Sequence, residues 1–462
     1  MEVLVPSRNE LIPSLAEPQS LHDEQSTKPV EVANSDDNDE EEEFGSIIAS
    51  INISHLQELV ISTRRKFFYD LDPHISCVTS TPPHTGAFNI VYVVSFSDGV
   101  KWTIRLPARG NVFSPTRARA LHLDIIAHRF ISHKTSIPIP RIHHWSLDAD
   151  NVLSRPFVIM DFIPGVNLSS VWNDRNWITD VKRERIFEQI AGWMVELAAF
   201  EFDRIGCLDV EPASGSYHIV PFPNVLDIIK EIPGYETYDD ATPAIPAGPF
   251  DTSTAFLSFL LSSRRRKSDN PTLASLHLFL STLPDHTLDG PPFVFSHPDF
   301  DSQNVLVDDD GVITGIIDWD GVYIGPRQGG AAAYPSWITV DWDPMFYGWS
   351  ADAPPEDNVD YDSPADLAKY RKAYLDAIQR ASADKLTHIT RNSHVWTTLY
   401  IGLVNELATS EIVGQLCRFM FGTGILHEIE AGIKRGSWYA LRNSSGAIFE
   451  VMGAYFSSIL LL

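Results

Sequence analysis

Residues 295–321 read FSHPDFDSQNVLVDDDGVITGIIDWDG, and this segment constrains the architecture of the chain more than any other. It contains two short runs rich in apolar and β-branched residues, NVLV at 304–307 and ITGII at 313–317, separated by DDDGV. Such runs around a polar turn that contains Gly predict a β-hairpin. The hairpin would bring Asn304, at the start of one strand, back beside Asp318, at the end of the other. Two oxygen-bearing side chains could then share one metal ion.

The polar residues of this segment follow the spacing H-x-D-x-x-x-x-N with a further Asp on the second strand, which is the pattern of a phosphoryl-transfer site. They are His297, Asp299, Asn304 and Asp318. Asp299 would orient an acceptor hydroxyl and take its proton, whereas Asn304 and Asp318 would hold Mg²⁺ against the phosphates of a nucleotide. His297 is expected to be structural. The alternative, an ordinary hairpin with acidic ends, is disfavoured because all four positions match.

The same residues resemble the catalytic core of the aminoglycoside phosphotransferase family, and especially its fungal branch, whose members show H-x-D-x-x-x-x-N-I-L-V-D followed by I-D-W-E. Here the last element reads IDWD at 317–320. The resemblance implies an α+β, protein-kinase-like fold with two lobes, a small N-terminal sheet lobe and a larger, mainly helical C-terminal lobe. A protein kinase is disfavoured, because Pro298 follows His297 where regulated kinases have Arg, and no A-P-E element follows Asp318.

A turn of small residues precedes a strand pattern within residues 84–96. It resembles the nucleotide loop of the family, in which a G-x-x-N turn joins two strands over the ATP phosphates and lets backbone N–H groups approach the anion. The resemblance assigns Gly86, Phe88 and Asn89 to nucleotide binding. A plain hairpin turn is the alternative, since turns that contain Gly are common.

The strand KWTIRLP at 101–107 resembles the family strand that carries the phosphate-contacting cation. Arg105 would take this role, which Lys usually fills, and Lys101 is the competing cation. Counting back from SIPIP at 136–140, where fungal relatives end the next helix, gives Asp124 as the ion-pair partner of Arg105. Arg is longer than Lys and Asp is shorter than Glu, so the exchange would keep the span of the pair. In the alternative, Arg105 is an edge-strand surface residue and Asp124 an ordinary helix residue.

The apolar strand FVIMDFI at 157–163 ends in a Pro-Gly turn and resembles the hinge between the lobes of kinase-like folds. Adenine would lie against this hinge. The backbone groups that would hydrogen-bond the base belong to Met160, Asp161, Phe162 and Ile163. A plain core strand is the alternative. ATP is the expected nucleotide, and the sequence leaves GTP open.

These patterns predict a chain with three parts. Residues 1–45, with eight acidic residues from Glu31 to Glu43, are expected to be a disordered acidic tail. Residues 46–163 would form the N-terminal nucleotide-binding lobe and hinge. Residues 164–462 would form the helical C-terminal lobe, with the catalytic loop at 295–321 and substrate-binding helices. Helical periodicity is found at 185–202, 251–265, 272–283, 364–381 and 395–455.

The net charge of −26 and the sequence pI near 4.9 argue against nucleic acid or a membrane as the main partner, because an acidic surface repels phosphate. Three cysteines without C-x-x-C spacing indicate reduced thiols and no structural metal. The N-terminus shows neither a secretory pattern nor a mitochondrial presequence, and no apolar run approaches the length of about 18 residues that a membrane span needs. A cytoplasmic protein is therefore expected.

No motif fixes the acceptor, because members of the family bind acceptors through variable helices and loops. An aromatic and acidic cluster follows the catalytic segment and could hold a cationic amine, although core packing is the favoured alternative. Its residues are Trp337, Asp341, Trp342, Asp343, Phe346, Tyr347 and Trp349. We predict an ATP-dependent O-phosphotransferase that moves a γ-phosphoryl group to a hydroxyl of a small molecule. The competing prediction is a non-catalytic kinase-like protein that binds a nucleotide or a protein partner.

Overall fold

The computed structural model describes residues 44–68, 70–108, 112–224, 246–263 and 271–421, which form two compact units. The sheet unit holds the described residues up to Phe113 together with His143–Met160, and the helical unit holds Ser114–Ile142 and the described residues from Asp161 onward. Most of the predicted acidic tail lies outside the described residues. Phe44, the first described residue, is already helical, although it lies within the predicted tail.

The sheet unit combines two helices with a six-stranded sheet in the order β1-β3-β4-β6-β5, in which β2 also pairs with β3. The helices are α1 (Phe44–Ser50) and α2 (Ile53–Phe67). The strands are β1 (Cys77–Thr79), β2 (His84–Thr85), β3 (Asn89–Phe96), β4 (Lys101–Pro107), β5 (Ile142–Ser146) and β6 (Phe157–Asp161).

Alternation in the sequence builds this sheet. Buried and half-buried residues alternate along the whole of β3, and Trp102, Ile104 and Leu106 are the buried residues of β4. Helix α2 starts after Asn52, whose side chain accepts hydrogen bonds from two amides of the first turn. The apolar core of this unit joins α2 to the inner face of β3 and β4.

The helical unit contains nine helices and seven short strands in the part of the chain that the structure describes. The helices are α3 (Pro115–Lys134), α4 (Leu168–Val171), α5 (Asp180–Ala198), α6 (Ser253–Ser263), α7 (Pro271–Thr282), α8 (Pro364–Ser382), α9 (Thr387–Arg391), α10 (Ser393–Val404) and α11 (Thr409–Phe421). The strands are β7 (Val166–Asn167), β8 (Cys207–Val210), β9 (Tyr217–Val220), β10 (Val294–Ser296), β11 (Val305–Val307), β12 (Ile313–Ile316) and β13 (Tyr323–Gly325). The predicted α+β class is confirmed.

Helix α3 groups with the helical unit, although its residues fall inside the predicted N-terminal lobe. Its buried side chains, among them Leu123, Ile126 and Phe130, belong to the core of the helical unit. Arg119 of α3 also pairs with Asp209 of β8 at 2.7 Å. The apolar face and this ion pair therefore attach α3 to the unit that carries the catalytic segment.

Two of the helices predicted by periodicity differ clearly in extent from those in the structure. Helix α5 begins at Asp180 instead of residue 185, because the Thr179 side chain caps it by accepting from the amide of Lys182. The helix predicted from 395 to 455 is interrupted within its described part. After α10 the Asn405 side chain accepts from the amides of Leu407 and Ala408, and α11 follows. Residues 422–462 lie outside the described residues.

Among the described helices, no single one has the length and apolar character that a membrane span requires. Helices α1 and α2 meet the criterion only when they are taken together, and they bend by 69° at their junction.

Candidate active site

The predicted catalytic hairpin is present in the helical unit. Strands β11 and β12 pair antiparallel with Val305 opposite Ile316, and the amide of Ile317 donates to the carbonyl of Asn304 at 2.8 Å. This last hydrogen bond places Asn304 at the open end of the hairpin. Asp318 directly follows Ile317, the residue that makes the bond. The sequence-based prediction that the hairpin brings these two residues together is therefore confirmed.

Asp299 is held by the amide side chains of its own loop. Asn304 Nδ2 donates to the Asp299 carbonyl at 2.9 Å and to Oδ2 at 3.0 Å, and Gln303 Nε2 donates to the same Oδ2 at 3.3 Å. Among the described residues, no hydrogen-bond donor reaches Oδ1. The two amides therefore orient the carboxylate through Oδ2 and leave Oδ1 able to accept a further hydrogen bond.

Burial and negative neighbours make the Asp299 carboxyl group a stronger base than an ordinary aspartate. Burial raises the pKa of Asp299 to about 6, and the negative charges of Asp301 and Asp318 act in the same direction. The hydrogen bonds from Asn304 and Gln303 oppose this shift by favouring the charged form. A carboxylate with a pKa near the working pH suits proton removal from an alcohol.

His297 supports the loop as a neutral residue. Its Nδ1 accepts the amide hydrogen of Asp299 at 3.2 Å, and its ring contacts Trp319 edge-on with centroids 4.8 Å apart. Burial lowers the pKa of His297 to about 4, although the charge of Asp318 raises it in part. Its Nε2 is buried and has no hydrogen-bond partner among the described residues. These contacts agree with the structural role predicted for this residue.

The side chains of Asn304 and Asp318 are suited to Mg²⁺. Because Asn304 Nδ2 donates to Asp299, the orientation of the amide leaves Oδ1 as the atom that could bind a metal ion. Asp318 lies in the left-handed region with φ 58°, a strained conformation that concentrates at functional sites. No group of three or more His, Cys, Asp or Glu side chains able to hold a metal occurs among the described residues. A site of one carboxylate and one amide oxygen fits Mg²⁺ that is also bound by nucleotide phosphates.

The predicted nucleotide turn is found in the sheet unit. Gly86 donates its amide hydrogen to the Asn89 carbonyl at 2.9 Å and closes the turn between β2 and β3. The Phe88 carbonyl accepts from the amide of Ala108 at 2.9 Å. A Cβ atom at Gly86 would meet only the Asn89 carbonyl, at 3.8 Å, within the surroundings described. Packing within this unit therefore does not require glycine at this position.

Arg105 lies on β4 opposite Val91 and is half-buried. Arg105 and exposed Lys101 lie on the same face of β4. The buried residues Trp102, Ile104 and Leu106 lie on the opposite face. Both candidate cations thus share one face of the sheet, and their assignment to phosphate binding stays a prediction.

Asp124 occupies the middle of α3 in the helical unit. Its Oδ1 accepts the amide hydrogen of Gly321 at 2.9 Å, three residues after Asp318. The residue predicted as a partner for Arg105 therefore contacts the catalytic segment directly, and its pairing with Arg105 stays a prediction.

The backbone predicted to bind adenine has identifiable contacts of its own. Met160 accepts from the Thr103 hydroxyl at 3.5 Å within the sheet unit. In the helical unit, the Asp161 amide donates to the Arg141 carbonyl at 3.1 Å, so this amide serves the protein itself. Phe162 and Ile163 are half-buried. The side chain of Ile163 packs so closely against Gly315 that a Cβ added at Gly315 would lie 2.5 Å from Ile163 Cγ2. Base binding by these residues stays a prediction.

Residues 80–348 match the sequence profile of a family described as the phosphotransferase enzyme family, and this match covers more than half of the chain. The chain belongs to the phosphotransferase enzyme family. The resemblance indicated by its catalytic segment is confirmed, and the two-unit α+β architecture agrees with it.

This phosphotransferase-family protein has distant relatives of known name. It is 25% identical over 289 residues to the clavilactone A biosynthesis cluster protein Y of Ampulloclitocybe clavipes, over 59% of this chain and 67% of that protein. It is 22% identical over 147 residues to the altered inheritance of mitochondria protein 9, mitochondrial, of Meyerozyma guilliermondii. That match covers 32% of this chain and 24% of the relative, so the chain spans about a quarter of the relative's length.

Among solved structures, the aminoglycoside phosphotransferase APH(4)-Ia is similar over 79% of this chain and 99% of that chain. The sequence identity is 15% and the TM-score is 0.41.

Two residues that hold the catalytic loop of this phosphotransferase were not singled out by sequence. Gln303 binds Asp299, and the Asn167 side chain donates to the carbonyl of Gln303. The spacing of Gln303 four residues after Asp299 could have indicated the first contact. Asn167 lies on β7, which pairs with β11, and no local pattern in the sequence indicates that pairing.

The aromatic and acidic cluster after the catalytic segment is mainly structural in this phosphotransferase. Asp341 forms a bidentate pair with Arg371 at 2.6 and 3.0 Å, and Trp337 is buried against Trp172 and Phe300. Tyr347 donates its hydroxyl hydrogen to the Asp362 carbonyl at 2.8 Å. These contacts favour core packing over amine binding for this cluster.

Asp341→Ala is expected to lower the free energy of unfolding by about 3 kcal/mol, because it leaves the charge of Arg371 without its partner. The two side chains are only 12% and 15% exposed, so solvent screens the pair weakly. Urea unfolding monitored by tryptophan fluorescence measures this change. Asp352→Ala, which removes an exposed carboxylate from the same region, serves as the control and should change stability by less than about 0.5 kcal/mol. Equal losses in the two variants would contradict a structural role for Asp341.

Proposed function

We propose that this protein is an ATP-dependent O-phosphotransferase that moves the γ-phosphoryl group to a hydroxyl of a small molecule. The observation that carries the proposal is the arrangement of the catalytic segment. Asp299 is a half-buried carboxylate with a raised pKa, and it accepts a hydrogen bond from the side chain of Asn304. The hairpin places Asn304 beside Asp318, whose backbone is in the left-handed region. This combination supplies a base and two hard oxygen ligands within one short segment.

In the proposed reaction, Asp299 Oδ1 accepts a hydrogen bond from the acceptor hydroxyl and takes its proton as the oxygen attacks the γ-phosphorus. Asn304 and Gln303 hold the other carboxylate oxygen and keep Oδ1 aimed at the acceptor. Asn304 Oδ1 and Asp318 would hold Mg²⁺, which would neutralise charge on the phosphates. Buried Trp319 contacts the ring of neutral His297 edge-on and so supports the loop.

We assign the remaining nucleotide contacts to residues chosen by resemblance. Gly86, Phe88 and Asn89 would approach the phosphates through the backbone, and Arg105 would neutralise them. The adenine would bind the backbone of residues 160–163. A Cβ at Gly86 would meet only the Asn89 carbonyl, at 3.8 Å, so packing within the sheet unit does not require glycine there, which supports the first assignment.

A small-molecule acceptor is supported by the name of the most extensive curated relative described above, which belongs to a biosynthesis cluster. The acidic composition, with a net charge of −26, favours neutral or cationic acceptors over anionic ones. Cytoplasmic localisation is also proposed, and fractionation of cells that express the full chain would test it against the mitochondrial location named for the shorter matches.

The first test of the proposed function is ligand-dependent thermal unfolding followed by an activity screen. Mg²⁺ and ATP together should raise the unfolding midpoint, since a ligand at about 100 times its dissociation constant stabilises a protein by roughly 2.7 kcal/mol. Release of ADP should then be measured with panels of amines, sugars and alcohols. A midpoint shift without phosphate transfer to any acceptor would favour the non-catalytic alternative. The absence of a shift with either ATP or GTP would overturn nucleotide binding.

The pH dependence of kcat/KM should reveal the raised pKa of Asp299. The base must be ionised to accept a proton, and its pKa is about 6 in the folded protein. The rate should therefore fall about tenfold for each pH unit below about 6, whereas an ordinary aspartate would hold the rate down to about pH 4. Initial rates at subsaturating acceptor across this range measure the effect. A flat profile down to about pH 4 would contradict the assignment of Asp299 as the base.

A further inference from the structure

The turn from Asp318 to Gly321 holds two residues in the left-handed backbone region. Asp318 has φ 58° and Gly321 has φ 68°. Glycine adopts this conformation at little cost, whereas for aspartate it is less favourable than the right-handed region, although aspartate adopts it more often than most residues. Such a conformation persists only where the surrounding structure fixes the backbone. The contacts at the two ends of this turn therefore determine where the carboxylate of Asp318 lies.

The first end of the turn is fixed by the catalytic hairpin. The Ile317 amide donates to the Asn304 carbonyl at 2.8 Å, directly before Asp318. The buried Trp319 ring follows and donates from Nε1 to the Ile316 carbonyl at 2.9 Å. Hairpin and indole thus fix the residues on either side of Asp318, whereas Gly321 at the end of the turn is contacted by another element.

The second end of the turn is fixed by Asp124, which lies 197 residues away in sequence. Its Oδ1 accepts the Gly321 amide hydrogen at 2.9 Å, and a hydrogen bond to a carboxylate is stronger than one to a neutral acceptor. Asp124 is half-buried between Leu123 and Ile125, which are both buried. The carboxylate is therefore presented from a helix surface that is packed in place.

Helix α3 is itself attached to the unit that carries the turn. Arg119 pairs with buried Asp209 at 2.7 Å, and His122 contacts the other oxygen of Asp209 at 3.3 Å. Both residues precede Asp124 by less than two helical turns, so they fix the helix close to the carboxylate. The acceptor for Gly321 is thus held by the same unit as Asp299 and Asn304.

We propose that Asp124 is a positioning residue that fixes the metal-binding turn through the Gly321 amide and so places Asp318. The importance of this role for catalysis rests on the proposed function. The role differs from the ion pair with Arg105 that is expected from the sequence. The hydrogen bond from the Gly321 amide requires only an acceptor oxygen on residue 124, whereas an ion pair with Arg105 requires a negative charge there. An Asn side chain keeps the acceptor and loses the charge, so the two roles can be separated by substitution.

The test compares Asp124→Asn, Asp124→Ala and the parent in the full-length chain without ligand. Hydrogen exchange with mass spectrometry, using fragmentation that isolates the Gly321 amide, reports the bond directly. We expect exchange at Gly321 to accelerate at least about tenfold in Asp124→Ala and to remain close to the parent rate in Asp124→Asn. His133→Ala, an exposed substitution on the same helix, is the control and should leave this amide unchanged. Unchanged exchange in Asp124→Ala would overturn the proposal.

The consequence for Asp318 is measured by the dissociation constant of Mg-ATP. We expect about tenfold weaker binding in Asp124→Ala and a change of less than about threefold in Asp124→Asn. Equal losses of Mg-ATP binding in both variants would show that the negative charge matters, and this result would overturn the positioning role. If Asp124→Ala fails to fold, loss of Mg-ATP binding in Asp124→Asn alone would overturn it. If the parent binds no Mg-ATP, the proposed function fails, while the exchange rates still decide whether Asp124 holds the turn.

Discussion

Asp299→Asn is expected to reduce turnover by roughly 10² to 10⁴-fold while binding of Mg-ATP is retained and the protein becomes more stable. The substitution removes the proton acceptor but keeps an oxygen that can accept the hydrogen bonds of Asn304 and Gln303. The proposed metal ligands Asn304 and Asp318 are unchanged. Turnover is measured by ADP release, and Mg-ATP binding by the ligand-dependent shift in the unfolding midpoint.

The gain in stability follows from the raised pKa of Asp299. The carboxyl group titrates near 3.8 when unperturbed, whereas its pKa in the folded protein is about 6, so folding disfavours the ionised form. The stability of the parent therefore falls as the pH rises from about 4 to about 6, and the full cost is present above that range. This difference in pKa between the unfolded and folded states corresponds to about 3 kcal/mol. An amide does not ionise and avoids this cost.

The stability difference should consequently depend on pH. The unfolding midpoint of Asp299→Asn should exceed that of the parent at about pH 8. The difference should become small at about pH 4 and close at about pH 3, where the parent carboxyl group is mainly protonated in both states. Asp309→Asn removes the same charge from an exposed position on the same hairpin and should show neither effect. Turnover equal to that of the parent would remove Asp299 from the role of base.

Substitution of Asp318 is expected to abolish most of the stabilisation by Mg-ATP. The parent should gain roughly 2.7 kcal/mol at a ligand concentration about 100 times the dissociation constant. Asp318→Ala removes one of only two proposed protein ligands for Mg²⁺, so we expect both the midpoint shift and turnover to be lost. Thermal unfolding with ATP alone, Mg²⁺ alone and both together measures the effect.

The left-handed backbone at Asp318 requires a second variant as a control. Ala is unfavourable at φ 58°, so Asp318→Ala carries a backbone cost in addition to the loss of the ligand. Asn tolerates this region better than most residues, and Asp318→Asn changes the ligand with less backbone strain. We expect Asp318→Asn to unfold at the parent midpoint without ligand and to show a reduced shift with Mg-ATP. An undiminished shift in both variants would exclude Asp318 as the metal ligand.

Sequence reasoning was most successful where the interacting residues are close in the chain. The hairpin at 304–317 was predicted from strand patterns and a Gly-containing turn, and its register places Asn304 beside Asp318 as expected. The turn at Gly86–Asn89 and the strand with Arg105 were found in the same way. These features depend on backbone hydrogen bonds between nearby residues, which local residue preferences are sufficient to specify.

Contacts between distant parts of the chain could not be derived in this way. The sequence identified Asp124 by its distance from the end of a helix, but the bond to Gly321 joins residues 197 positions apart. In the same manner, Asn167 meets Gln303 across 136 positions, and Asp341 meets Arg371 across 30. Periodicity shows that one face of a helix is apolar, but it does not show which other face covers it.

The sequence by itself therefore determined the chemistry that the catalytic segment can support, because a base and two oxygen ligands follow from residue identity and local spacing. Only the tertiary structure decided how that segment is held. Helix α3 joined the helical unit because Leu123, Ile126 and Phe130 are buried in its core and Arg119 pairs with Asp209. Packing of these surfaces brought a carboxylate to the amide of Gly321, and packing depends on the shapes of all the elements together.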